Sequence, residues 1–496
     1  MVLILGTLVM VASHAGGLSA LGPWDRRAVW FTIWQAAISA MLSTVLAVPV
    51  ARALARRRFR GRGLLITLLG APFILPVIVA VMGLIAVFGR SGMVNAALAG
   101  IGIQPVSIYG WQGVILAHVF FNLPLSVRMI LHGWQAIPAE RLRLAASLDF
   151  APRDIARHLE RPMLREVLPG AWLAVFLVCL TSFAVALALG GGPRATTIEL
   201  AIYQAFRFDF DMGKAATLAL VQVALCTTAL ALAGRVSRPA GFGAGLDRAT
   251  PLPAPGGWRA VADGCAIALT AAFLLVPISA VIWQGAPGIP GLPLPVWEAA
   301  GRSVIMALIS AFAAMALALA LATAVARGLA WVEYGGMLPL VASPLVLGTG
   351  LFLALRGHVQ PTTLALPVTV AINAIMALPF ALRILIPAAR SLQADYGRLA
   401  ASLGMGGISR LRLLTLPRLA RPLGFAGGLA AALAMGDLGV ITLFADSRNP
   451  TLPLRLYQFM NSYRMGDAAA VAVLLMAISF ALFWLFDRGG RMRAAI

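Results

Sequence analysis

Charge is scarce in this chain, and acid is scarcer: 11% of 496 residues are charged, with 18 Asp and Glu against 39 Lys and Arg. Soluble chains carry about 25% charged residues, so too little polar surface exists here to cover a water-facing fold. Cysteine is nearly absent as well. Cys179, Cys226 and Cys265 lie in or beside apolar runs with no CxxC pair, which argues against a thiolate metal cradle and leaves them as small packing residues. A phosphate cradle is missing too. A P-loop needs GxxxxGK followed by Ser or Thr, whereas Gly213-Lys214 is followed by Ala215 and has Phe208 where the first glycine belongs. ATP must therefore be hydrolysed elsewhere if it is used at all. No HExxH, GxSxG or intramembrane acid–His cluster appears, which argues against a membrane enzyme. Nor does an aromatic-studded basic domain, so the net charge of +21 does not read as nucleic-acid binding.

What is present is hydrophobicity: 60% of the residues, with a mean hydropathy of +0.90. Apolar runs of about 20 residues can each cross a hydrocarbon core. They lie near 1–20, 29–50, 64–88, 111–131, 167–189, 214–234, 260–284, 302–325, 336–356, 364–386, 421–444 and 468–487. The chain reads as an all-α polytopic membrane protein of about twelve spans. Its first run lacks the basic n-region of a secretory signal and reads as a spanning helix. It begins abruptly, and a short basic segment ahead of it is the expectation. With the N-terminus inside, the cytoplasmic connections and the tail hold 26 of the 39 basic residues, including six arginines in 132–166 and six in 387–421. Lys and Arg favour the cytoplasmic side, so both termini are expected there.

The chain is also repeated. RLAASLDFAPRDIARHLERP (143–162) returns as RLAASLGMGGISRLRLLTLP (398–417), 255 positions later, and the alignment runs without gaps from His118/Asn373 to Pro162/Pro417. Tyr203-Gln204 returns as Tyr457-Gln458, and MGKAA (212–216) as MGDAA (465–469). The Pro/Gly-rich segment 235–259 reads as a linker between two six-helix halves, 1–234 and 260–496. Six spans per half make the repeat parallel, with the pathway expected between the halves. Each repeated loop is expected to be two short helices around a tight turn, at Asp149-Phe150 and at Gly404-Met405. Gly takes positive φ freely and Asp is among the few residues that tolerate it. A lone loop of this kind would read equally as an amphipathic hairpin on the headgroups. Two copies at matching positions point to a paired docking device for a two-fold partner.

These loops resemble the cytoplasmic loop of binding-protein-dependent ABC-importer permeases, in which Glu-Ala-Ala is followed by three residues, Gly, and nine residues to Ile-x-Leu-Pro. The second copy keeps Ala400, Gly404, Leu414, Leu416 and Pro417; the first keeps Ala145, Leu159 and Pro162 but has Asp149 and Arg161 at the glycine and leucine positions. Arg143 and Arg398 stand where the Glu would, so the resemblance implies the docking geometry without that Glu's charge. Longer strings are similar to the thiamine importer permeases within that family: RRRFRGR (56–62), LAHVFFNLP (116–124), LGGGPRATTIELAIYQA (189–205), GDLGVITLF (436–444) and TLPLRLYQ (451–458). The resemblance implies a type I ABC-importer permease fold in a bacterial inner membrane. It implies as partners a cytoplasmic ABC ATPase dimer, which would carry ATP and Mg, and a periplasmic thiamine-binding protein. No cofactor or metal is expected on this chain. Carried onto these loops, it assigns ATPase coupling to Leu144, Ala145, Ala146, Asp149, Phe150 and Pro162, and to Leu399, Ala400, Ala401, Gly404, Met405 and Pro417.

For the pathway, polar residues inside apolar runs are the candidates, because lipid exposure of such groups is costly. Asp437 is the clearest acid away from span ends, and its repeat mate is Ser182. Thiamine carries a fixed cation, so Asp437 is a candidate counter-ion, with Phe120, Phe121 and Phe183 offering cation–π faces; pairing within the bundle is the competing role. Asn122, His118 and Asn373 suit a substrate hydrogen bond or a helix–helix one. Tyr203, Gln204, Arg207, Asp209, Asp211, Tyr457 and Gln458 are candidate contacts for the binding protein, against an ordinary solvated loop. Competing functions are a permease for another small solute (ferric iron, sulfate or a polyamine) and an ion-coupled secondary transporter. The paired loops argue against the last.

Overall fold

The computed structural model describes residues 1–17, 19, 21–70, 74–190, 192–236, 256–355, 361–444 and 449–494. Most of the expected linker, 235–259, lies outside them. The described residues form helices and no strand. Among the described residues ten helices are long and apolar enough to cross a membrane, and Trp331–Leu340 with Pro344–Leu355, apolar enough together but bent by 95°, form a broken span or a re-entrant loop. The remaining expected run, 1–20, is the shorter apolar helix Val2–His14.

Chain order begins α1 (Val2–His14), α2 (Pro23–Arg56), α3 (Arg62–Leu68), α4 (Val77–Phe88) and α5 (Trp111–Gln135). It continues α6 (Ala139–Ser147), α7 (Arg161–Leu180), α8 (Ala184–Leu189), α9 (Ile198–Arg207) and α10 (Met212–Val236). The same order then recurs as α11 (Trp258–Gly285), α12 (Leu294–Ala326), α13 (Trp331–Met337), α14 (Pro344–Leu355) and α15 (Pro361–Ser402). It closes with α16 (Ala420–Met435), α17 (Gly439–Phe444), α18 (Leu452–Asn461) and α19 (Met465–Ala494).

One difference between the halves falls at a proline. Pro138 separates α5 from α6, whereas Gln393 stands at the matching position and α15 runs through as one helix. Proline lacks the amide hydrogen that a helix interior needs.

The two halves share their core. α1 packs on α14 as well as on α10, and α11 packs on α4 and α2 as well as on α19. Each half therefore lends its first helix to the other. Glycine makes both crossings close. A Cβ at Gly83 of α4 would lie 2.7 Å from the Pro277 carbonyl oxygen of α11, and one at Gly350 of α14 would lie 2.5 Å from that of Thr7 in α1. The short helices α9 and α18 are held from across the bundle by matching hydrogen bonds. The Ile198 amide donates to Thr32 Oγ1 at 2.8 Å, and the Leu452 amide to Ser303 Oγ at 2.8 Å. Each bond satisfies a helix-N-terminal donor that would otherwise be orphaned in a buried place.

Candidate functional site

The repeated loops fold alike, atom for atom at their turns. In the first, Phe150 N–H donates to the Ala145 carbonyl at 2.9 Å and Asp149 N–H to that of Ala146 at 3.2 Å, with Asp149 at φ 51°. In the second, Met405 N–H reaches the Ala400 carbonyl at 2.9 Å and Gly404 N–H that of Ala401 at 3.1 Å, with Gly404 at φ 64°. This pair of bonds around a left-handed residue is the Schellman ending, which closes off the last orphan carbonyls of a helix. Ala145 and Ala400 are buried at these turns, whereas Leu144 and Leu148 are each 59% exposed, and Leu399 and Leu403 53% and 65%. Small residues thus pack the turn inward, and leucines at matching positions face out. Ala146, Ala401, Pro162 and Pro417 are exposed, and Phe150 and Met405 half-buried. Past each turn comes a single π-helical turn, Ala156–Glu160 and Leu411–Thr415, again 255 positions apart.

The loops differ in how they are braced. Glu160 is buried and lies 2.8 Å from Arg52 and 2.7 Å from Arg56, both near the end of α2. Its repeat mate, Thr415, has only a 3.3 Å hydrogen bond to the Arg410 carbonyl. The second loop relies instead on the hydrogen bond of Arg410 to Gln393, an Arg390–Glu333 ion pair at 2.8 Å, and Arg418 stacked 4.7 Å over Tyr396.

The expected fifth and eleventh spans are not continuous helices. α7 stops at Leu180 and resumes as α8 at Ala184, while α16 stops at Met435 and resumes as α17 at Gly439. The breaks are repeat-equivalent. Ser182 lies in the first and Asp437 in the second, so the sequence-selected pair occupies corresponding breaks in the two halves. Broken backbone at membrane depth is tolerated where protein or a water-filled cavity receives its free groups. At the first break, Gln35 of α2 donates to the Cys179 carbonyl at 3.1 Å and Gln222 of α10 to that of Leu180 at 2.8 Å. At the second, the Gly439 amide donates to Asp437 Oδ1 at 3.1 Å. Asp437 Oδ2 and Asn373 Nδ2 are buried atoms without a partner in hydrogen-bond geometry. Asn373 nevertheless lies close enough to interact with Asp437, so α15 and the break in the following span bring these two candidates together.

The remaining candidates divide. Phe120 is buried, with ring centroids 5.6 Å from both Phe121 and Phe273. Asn122 donates to its own helix at the His118 carbonyl, 2.8 Å, and approaches Cys179 Sγ at 3.4 Å, a helix–helix contact. Phe183 and Tyr203 have ring centroids 5.5 Å apart, and Tyr203 lies within electrostatic range of its mate Tyr457. Gln204 and Arg207 are exposed. Gln458 accepts from Arg455 at 3.1 Å. Asp209 and Asp211 serve the start of α10: Asp209 pairs with Lys214 at 3.4 Å, and Asp211 Oδ1 accepts the Lys214 amide at 2.9 Å. Sequence reasoning passed over Gln35, Gln222, Glu160 and Glu199. Glu199, on α9, is wholly buried, and neither carboxylate oxygen has a partner in hydrogen-bond geometry. Polar residues set in apolar surroundings were the signal available for the glutamines.

No protein-family model matches the chain. It is 40% identical over 506 aligned positions to the thiamine transport system permease protein ThiP of Brucella abortus, covering 98% of this chain and 93% of that protein. The protein of the same name from Escherichia coli K12 is 39% identical over 490 positions, covering 94% and 90% of the two chains. That from Haemophilus influenzae is 34% identical over 470 positions, covering 92% and 87%.

Proposed function

Because the chain belongs to the family of thiamine transport system permeases, we propose that it is the membrane-spanning subunit of an ATP-driven thiamine importer in a bacterial inner membrane. It receives thiamine, and thiamine phosphates, from a periplasmic binding protein and releases them to the cytoplasm. Halves 1–234 and 260–496 form the two sides of the pathway, joined through 235–259, with both termini cytoplasmic. A separate ATPase dimer binds the loops 132–166 and 387–421.

The observation that carries this reading is the pair of loop endings with matching hydrogen bonds, each presenting two exposed leucines. Contiguous exposed apolar surface marks a site that a partner covers, and two equivalent sites suit a partner with two-fold symmetry. Closing of the ATPase dimer moves both loops, and the braces behind them, Glu160 to α2 and Arg410 to Gln393 of α15, pass that motion to the spans. Coupling of this kind requires two global states on which ATP and the loaded binding protein act differently.

Asp437 is the counter-ion for the substrate cation. Its Oδ2, without a partner in hydrogen-bond geometry at the break in the second half beside Asn373, supports that role. Phe183, at the break in the first half, and Tyr203 and Tyr457, on α9 and α18, offer aromatic faces to a passing cation. Tyr203, Gln204, Arg207, Asp209, Asp211, Tyr457 and Gln458 serve the docked binding protein.

Uptake of labelled thiamine into proteoliposomes tests the proposal. Uptake that needs this chain, its ATPase, the binding protein and ATP together supports it. Uptake by this chain alone would make it a secondary carrier. ATP hydrolysis stimulated by loaded binding protein without thiamine movement would keep the importer class and discard the substrate.

A further inference from the structure

The two halves carry equivalent apolar grooves on their outer surface, and only one has a cation at its mouth. The first lies between α2 and α7, with a volume of about 510 Å³. The second lies between α12, α16 and α19, with a volume of about 1000 Å³. Residue pairs match across the repeat: Val45 with Ala316, Val48 with Leu319, and Leu168 with Leu423. The register is fixed independently by the Thr32 and Ser303 hydrogen bonds, which set α2 against α12 at the same offset.

Sequence explains why the second groove is larger. Trp172 lines the first, but its mate in α16 is Gly427, against which Phe486 of α19 leans; a Cβ there would lie 2.9 Å from the Phe486 ring. At the end of α19, Gly489 lines the groove with no side chain, and a Cβ there would meet nothing within 4 Å. The groove opens outward rather than between the halves, since Phe312 and Leu485 on its walls are 64% and 59% exposed. Along α12 it runs from Leu308 to Leu319. That is about 16 Å at 1.5 Å per residue, or one leaflet of a hydrocarbon core about 30 Å thick.

At its end stands Arg412, in the π-helical turn of the second coupling loop. No acidic residue lines the groove. Neighbouring arginines are engaged: Arg410 with Gln393, Arg418 over Tyr396, Arg488 over Trp484, and Arg491 with Asp487. Arg412 is exposed and makes no hydrogen bond or ion pair among the described residues. An unpaired guanidinium at the membrane surface, above a leaflet-deep apolar slot, matches the two ends of an anionic phospholipid.

We propose that the second groove binds one anionic phospholipid of the cytoplasmic leaflet, with an acyl chain along α12 and the phosphate on Arg412. The leaflet follows from the orientation proposed above; the lipid itself does not depend on the substrate or on the ATPase. Since Arg412 belongs to the coupling loop, the bound lipid would bias that loop's position.

The test is native mass spectrometry of the full chain released from nanodiscs of mixed phosphatidylglycerol and phosphatidylcholine. Wild type should retain one lipid, enriched at least tenfold in phosphatidylglycerol. Arg412→Gln should lose that enrichment while still retaining lipid, and Ala316→Phe with Gly489→Phe should retain none. If the doubly filled variant does not fold, the headgroup preference of Arg412→Gln alone decides. Unchanged enrichment in Arg412→Gln, or no enrichment in wild type, would overturn the proposal. So would a second copy of the chain or another protein retained in place of lipid and lost from these variants. Lipid retention is read without transport, so failure of thiamine uptake and failure of this site are separate results.

Discussion

Replacing Glu160 should cost far more than replacing its repeat mate, although the two residues occupy the same turn. Glu160 Oε1 lies 2.7 Å from Arg56, whose side chain is 6% exposed, and Oε2 lies 2.8 Å from Arg52, at 37%. Arg56 Nε is already buried without a partner. Glu160→Ala would leave that guanidinium uncompensated. Breaking a buried pair from one side costs about 3–5 kcal/mol; water reaching Arg52 screens part of this, so about 3 kcal/mol is expected. That is roughly a hundredfold shift toward a detached loop. Thr415→Ala removes one long hydrogen bond and should cost about 1 kcal/mol or less. The assay is thermal inactivation of the purified chain, paired with ATP consumed per substrate imported in proteoliposomes. Glu160→Ala should inactivate sooner and waste ATP, whereas Thr415→Ala should do neither. Replacing Glu160, Arg56 and Arg52 together by methionine should restore stability, because apolar replacements of whole buried ion pairs are often neutral or better, yet leave α2 no longer tied to the loop through charge. Glu160→Ala with wild-type inactivation and coupling would refute the strut.

The crossing of α1 onto α14 depends on Gly350, so Gly350→Val should overpack it by about 1–3 kcal/mol. Limited proteolysis should then cut at the N-terminus first, and the matching Gly83→Val should loosen α11. At the turn of the second repeated loop, φ rather than space is limiting, since a Cβ at Gly404 would meet nothing within 4 Å. Gly404→Asp should therefore fold and insert with nearly wild-type stability, as Asp149 does at φ 51°, while Gly404→Val should lose about 1–2 kcal/mol. Thermal inactivation of the two variants side by side checks the order.

The long elements were legible in the sequence because both signals behind them are local. Apolar runs mark where helices cross lipid, and helices lie along each expected run, although 64–88 is divided between α3 and α4 and 336–356 is bent by 95°. The 255-position repeat located both loop turns, and Gly404 with Asp149 announced their left-handed residues. The breaks at Ser182 and Asp437 were not legible as breaks. Thr181, Ser182 and Phe183 scarcely interrupt hydropathy, and what stops the helix is backbone satisfied from elsewhere, by Gln35 and Gln222. Those partners lie 144 and 42 positions away, beyond the reach of any window. The Glu160 brace was hidden for the same reason, since Arg52 and Arg56 read as topology signals within an Arg-rich segment. Asn122 shows the reverse limit. A polar residue in an apolar run can serve a helix–helix contact, and only three-dimensional placement separates that role from substrate binding.

The most direct test of the proposed coupling role of the paired loops is to change the outward leucines, which are mostly exposed. Leu148→Ser with Leu403→Ser should leave the chain inserted and thermally unchanged, because both side chains are mostly exposed. Binding of the ATPase dimer to detergent-solubilised chain should fall at least tenfold, with each single variant intermediate. A double variant that binds the ATPase and drives uptake at the wild-type rate would contradict the assignment of these loops as the coupling site.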